Sequence, residues 1–165
     1  MEQAKRLIRD SAALRFSVLF MISVLMFGTY WFQDVLSTLK GLFESQLGLT
    51  SSQYGLLVSS TTWANLALMI ILGGMALDRW GIRKTGMALA LIATIGAFIV
   101  ALGSKGFFGA STKAMMISMA AGRILFGVGL ETTCVLVSRT IVKWFKGHEL
   151  AFAMGLNLLI ARLGS

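Results

Sequence analysis

The charged residues of this chain are gathered into clusters separated by long apolar runs. No charge occurs from Phe16 to Gln33, from Tyr54 to Leu77 or from Thr85 to Ser104. The last two runs hold about 24 and about 20 residues, where about 20 suffice to cross the hydrocarbon of a bilayer. The pattern predicts transmembrane helices over residues 16–39, 53–77 and 85–104. A fourth, over 112–142, is long enough only if the charges it carries lie inside the membrane. A fifth, over 149–165, begins near Leu150 and is still apolar where the sequence stops. Residues 1–15 read as a short charged leader. The pattern predicts an all-α polytopic membrane protein, and the unfinished last helix reads as part of a longer chain.

Composition agrees with this picture. Hydrophobic residues make up 56% of the chain and charged residues 13%, about half the charged share of soluble domains. The net charge of +8 would suit nucleic acid, but its distribution follows the membrane. With the N-terminus in the cytoplasm, Lys5, Arg6, Arg9 and Arg15 fall inside, followed by Arg79, Arg83 and Lys84, then Lys143 and Lys146. Only Lys40, Lys105 and Lys113 fall outside, as the positive-inside rule expects. No basic patch is left over for nucleic acid. The first apolar run is too long for a secretory signal and has no small-residue cleavage site. Neither Asn65 nor Asn157 begins a glycosylation sequon, which favours a bacterial inner membrane over a lysosomal one.

The connections are short. "DRWGIRK" makes the second and third helices antiparallel neighbours, and Thr50 with Gln53 forms a capping-box pattern before the second. The third connection, "KGFFGASTK", reads as loose. The chain has no proline, so any kink must fall at glycine. Candidates are Gly28, Gly73 with Gly74, Gly127 with Gly129, Gly155 and Gly164, for which the plainer role is close helix packing.

Four ionisable residues lie within apolar segments: Asp34, Arg123, Glu131 and Arg162. Each costs roughly 2.5–3.5 kcal/mol to insert and needs a partner or a water-filled cavity. Asp34 lies near the outer end of the first helix, as a rim carboxylate or a functional one. Glu131 is about 17 Å from the inner end of the fourth helix and Arg162 about 20 Å into the fifth, counting 1.5 Å per residue. Equal depth allows either a buried ion pair or a site for a ligand carrying both charges. Arg123, two turns before Glu131, lies on nearly the same face, further out. Other chemistry is absent from the pattern. His148 is the sole histidine and Cys134 the sole cysteine, too few for a metal site. Neither a Gly-x-Ser-x-Gly elbow nor a Walker loop occurs, so neither an enzyme nor a cofactor is expected.

The stretch "GGMALDRWGIRKTG", Gly73 to Gly86, resembles the signature loop between helices two and three of the major facilitator superfamily. Its matching positions are Gly74, Asp78, Arg79, Gly81, Arg83 and Lys84. Asp78 follows a helix C-terminus, where the dipole disfavours an anion, and Arg139 is its candidate partner. In that family the loop latches the outward-facing state. "GRILFGVG" is similar to the family's helix-four pattern, with Arg123 in place. "GVGLETTC", "WFKGHELAFAMGLNLLIARLGS" and "YWFQD" resemble the subgroup of the animal lysosomal dipeptide transporter and its bacterial relatives. That resemblance implies a cavity lined by Glu131 and Arg162, with Tyr30 and Asp34 on helix one.

The resemblance implies helices one to four and the start of helix five of a twelve-helix transporter working by alternating access. The substrate expected is a small zwitterion such as a dipeptide, its amine on Glu131 and its carboxylate on Arg162. The rivals are a proton-coupled organic-anion or sugar porter and, in another class, a non-transporting scaffold. The partners expected are the substrate, protons as a coupling ion, the bilayer and the protein's own C-terminal helices.

Overall fold

The computed structural model describes residues 11–66 and 69–165. Six helices run along the described residues: α1 Ala12–Thr38, α2 Lys40–Leu47, α3 Ser51–Leu66, α4 Met69–Ser104, α5 Thr112–Phe145 and α6 Leu150–Arg162. Ala12–Thr38, Ile71–Ser104 and Thr112–Phe145 are long and apolar enough to cross a membrane. Most of the leader, including Lys5, Arg6 and Arg9, lies outside the described residues, as do positions 67–68 of the second expected span.

Helix α4 is two helical arms rather than one rod. Gly81 interrupts it with φ 77° and ψ 167°, a conformation open to glycine and strained for other residues. The Thr85 hydroxyl spans the break, donating to the Ala76 carbonyl at 3.1 Å. The break falls inside the connection expected between the second and third helices. None of the glycines considered as kink sites has a positive φ; among the described residues those are Gly48, Gly81, Gly106, Gly109 and Gly147.

The first connection holds a helix that the apolar pattern did not reveal. Helix α2 is closed by Gly48 in the left-handed conformation, φ 64°, a common C-terminal device. Lys40 and Glu44, one turn apart, lie 3.7 Å from each other on its surface. The Ser51 hydroxyl donates to Glu44 Oε1 at 2.6 Å, and the Tyr54 hydroxyl to the Leu36 carbonyl at 2.7 Å. Both arms of the capping box are made: the Thr50 N–H donates to Gln53 Oε1 at 2.9 Å and the Gln53 N–H to Thr50 Oγ1 at 3.3 Å. Thr50→Ala is expected to cost about 1 kcal/mol, measurable as a lower thermal midpoint of the purified full-length protein. The third connection is tighter than expected. Its turns are hydrogen-bonded at Lys105, Gly106 and Gly109, and Ser111 Oγ accepts the Ala114 N–H at 3.2 Å to cap α5.

The chain divides into two compact units, one of residues up to Asp34 with Val137–Ser165, the other of Val35–Leu136. In this second, central unit the later arm of α4 packs antiparallel on α5 along a seam of small residues. Gly86 faces Leu136, Ala93 faces Gly129, Gly96 faces Phe126 and Gly122, Val100 faces Gly122, and Gly103 faces Met119. On both helices these positions are spaced by three, four or seven residues, the spacing that keeps one stripe against a partner in a left-handed supercoil. The approach is close enough that a Cβ on Gly96 would stand 2.5 Å from the Phe126 nitrogen and 2.7 Å from the Gly122 carbonyl oxygen. A third contact reaches α5 from α3, where Gly127 admits the Thr61 carbonyl.

In the terminal unit α1 and α6 run parallel. Their contacts climb together: Phe16 with Phe152, Ser23 with Asn157, Tyr30 with Arg162 and Asp34 with Ser165. At the lower end Phe16 also meets Phe145 edge to face at 5.7 Å. Arg15, expected in the leader, is instead inside α1 and 5% exposed. Its guanidinium lies 5.9 Å from the Phe145 ring centre, a cation–π contact that favours extending the helix past Phe16.

Candidate functional site

The α1–α6 pair of the terminal unit carries three of the expected site residues, and it brings them together. Tyr30 and Asp34 are one turn apart on α1, both half-buried. The Arg162 guanidinium stands over the Tyr30 ring, 5.6 Å from its centre, a cation–π contact. Asp34 Oδ2 accepts the Ser165 hydroxyl at 2.6 Å. A cation and an anion are thereby presented at one end of one helix pair. Arg162 itself is exposed, which suits a side chain that meets a ligand.

The pair is set by packing below it. The Ser23 hydroxyl donates to Asn157 Oδ1 at 3.0 Å, fully buried, and Gly164 lies so close to Phe27 that a Cβ would stand 2.5 Å from the Phe27 carbonyl oxygen. The Ser23–Asn157 bond was not among the expected features. A signal was present: Ser23 stands seven residues before Tyr30, hence on the same face of α1.

Two further expected residues belong to the central unit. Arg123 and Glu131 are on α5, eight residues apart. Arg123 is 1% exposed and donates from Nη2 to the Val58 carbonyl at 3.4 Å, while Glu131 is half-buried. Arg123 is thus anchored to α3, a structural role the sequence did not assign it.

The latch residues Gly74, Asp78, Arg79, Gly81, Arg83 and Lys84 also lie in the central unit, around the α4 break, and the charged ones are exposed. A Cβ on Gly74 would meet nothing within 4 Å, whereas Gly73 is pressed against Thr132. Arg139 is exposed on α5 in the terminal unit. Among the described residues no group of three or more His, Cys, Asp or Glu side chains gathers to hold a metal.

Known proteins similar to this chain are membrane transporters. The chain is 35% identical over 154 residues to the lysosomal dipeptide transporter MFSD1 of Mus musculus, covering 93% of this chain and 32% of that protein. It is 34% identical over 154 residues to the Homo sapiens protein of the same name, covering 93% and 31%. The probable sulfoacetate transporter SauU of Cupriavidus necator is 28% identical over 150 residues, covering 91% and 32%. The chain therefore spans about a third of the length of the curated relatives it matches. No solved structure matches it significantly. The family model described as Major Facilitator Superfamily matches residues 18–165, and with its helical architecture and membrane-length helices the chain belongs to that superfamily.

Proposed function

We propose that the full-length protein is a secondary transporter of small zwitterions, dipeptides foremost, working by alternating access. The observation that carries this reading is the Arg162 guanidinium held over the Tyr30 ring, with the Asp34 carboxylate one turn away. A guanidinium offers its N–H fork to a carboxylate, the strong bidentate form of charge-assisted hydrogen bond. Arg162 takes the substrate's carboxylate. Glu131 takes its ammonium group, an assignment that rests on depth within α5 and on the dipeptide transporters among the relatives. Substrates of such transporters bind near the bilayer midplane, where a ligand carrying both charges offsets the cost of keeping Arg and Glu there.

The cytoplasmic placement of the N-terminus is part of the proposal. It is supported by the positive-inside distribution. Helices α1 and α6 are the first and fifth passes of a chain that crosses the membrane alternately.

A second reading, an organic-anion porter, is favoured by the sulfoacetate relative and by the two arginines. Thermal shift of the full-length protein separates the two. Dipeptides at a hundred times Kd are expected to stabilise it by about 2.7 kcal/mol, with sulfonates, dicarboxylates and sugars silent. Stabilisation by anions alone would replace the zwitterion with an anion and leave Arg162 its role.

A further inference from the structure

The buried side of α1 has a regular spacing. Ser23 and Tyr30, seven residues apart, both meet α6. Leu19 and Met26, also seven apart, are 1% and 4% exposed. The next residue in that second row is Gln33. It sits between the Tyr30–Arg162 and Asp34–Ser165 rungs of the α1–α6 ladder, and so at the level of Arg162. A polar residue has taken a place that is apolar one and two heptads earlier.

The Gln33 Oε1 atom is buried and has no hydrogen-bond partner among the described residues. A carbonyl oxygen withdrawn from water and left without a donor is disfavoured, and within a bilayer no lipid tail supplies one. The acceptor calls for an N–H or O–H donor that arrives from elsewhere.

We infer that Gln33 is a specificity residue whose side-chain carbonyl accepts the peptide-bond N–H of a dipeptide bound through its carboxylate to Arg162. The inference rests on the zwitterion reading above and deepens it. In a dipeptide the amide nitrogen and the terminal carboxylate are carried by the same α-carbon, so a carboxylate on Arg162 brings that N–H to the level of Gln33. A simple carboxylate or sulfonate has no donor there and leaves Oε1 unmet. The same group thereby selects for peptides and against organic anions, the kind of discrimination that a site built to pair one polar group achieves.

The test uses the full-length protein, alanyl-alanine and its ester analogue, in which oxygen replaces the amide N–H. The wild type is expected to bind the peptide at least about tenfold more tightly than the ester, about 1.4 kcal/mol. Gln33→Met, similar in length and without a polar carbonyl, is expected to lower peptide affinity to that of the ester and leave the ester unchanged. Its melting temperature without ligand should equal or exceed that of the wild type, since a buried unmet acceptor has been removed. Equal affinity of the wild type for peptide and ester, or a preference that survives in Gln33→Met, would overturn the role of Gln33 alone. A lower melting temperature of the unliganded variant would show the carbonyl to be bonded within the protein, and would also overturn it. A wild type that binds neither compound removes the dipeptide reading and this inference together.

Discussion

Gly96→Ala is expected to destabilise the protein by about 3 kcal/mol, at the upper end of the range for overpacking. The added Cβ would stand 2.5 Å from the Phe126 nitrogen and 2.7 Å from the Gly122 carbonyl oxygen. Both obstacles are backbone, so no side-chain rotation relieves the clash and α4 and α5 must separate. Separation also loosens the packing at Gly103 and Gly129 along the same seam, because dispersion contacts fall off within an ångström. Thermal unfolding of the detergent-purified full-length protein measures the change. Gly28→Ala is the matched control: its Cβ would meet nothing within 4 Å, and helix propensity alone predicts a change within about 1 kcal/mol, in the stabilising direction. Equal effects at the two positions would remove the seam as a source of stability.

Arg162→Ala is expected to abolish dipeptide uptake by the full-length transporter. Removing one partner of a desolvated charge pair costs about 2–5 kcal/mol, which is about 30-fold to several thousand-fold in affinity. Arg162→Lys keeps the charge but gives up the planar fork that lies over Tyr30, so it should restore only part of the binding. Uptake of labelled alanyl-alanine into proteoliposomes, with binding measured in parallel, distinguishes lost affinity from lost protein. Uptake by Arg162→Ala at the wild-type rate would take Arg162 out of the site. Uptake by Arg162→Lys at that rate would reduce its contribution to a point charge.

The sequence revealed the parts of this fold that are written as long apolar runs. Ala12–Thr38 takes in the first uncharged run, and Ile71–Ser104 takes in the third and the end of the second across the Gly81 break, because burying apolar residues in lipid needs no particular partner. The Thr50–Gln53 cap was legible for the same reason: both groups lie within one turn of chain. Helix α2 was not legible, since it is short and polar and is anchored by two residues that follow it in sequence, Ser51 through Glu44 and Tyr54 through its ring against Phe43. The seam of Gly96, Gly103, Gly122 and Gly129 was visible only as scattered glycines. Its meaning depends on an antiparallel register that no single helix encodes. At the site, the ionisable residues announced themselves by their cost in an apolar segment. The amides did not, since Asn157 and Gln33 are neutral and only their long-range packing makes them unusual.

The α1–α6 pair joins the beginning of the chain to its last described helix, and this sets a schedule for biosynthesis. At about 5–20 residues per second, the ribosome needs on the order of ten seconds to pass from Asp34 to Leu150. For that time the Ser23 hydroxyl, the Tyr30 ring and the Asp34 carboxylate of α1 lack their partners Asn157, Arg162 and Ser165. The α4–α5 hairpin is sequence-local by comparison, and its loop closes at little entropic cost. The glycine hairpin can be complete before the first rung of the α1–α6 ladder exists, so the helix pair that carries Arg162 is the later of the two to mature in the nascent chain.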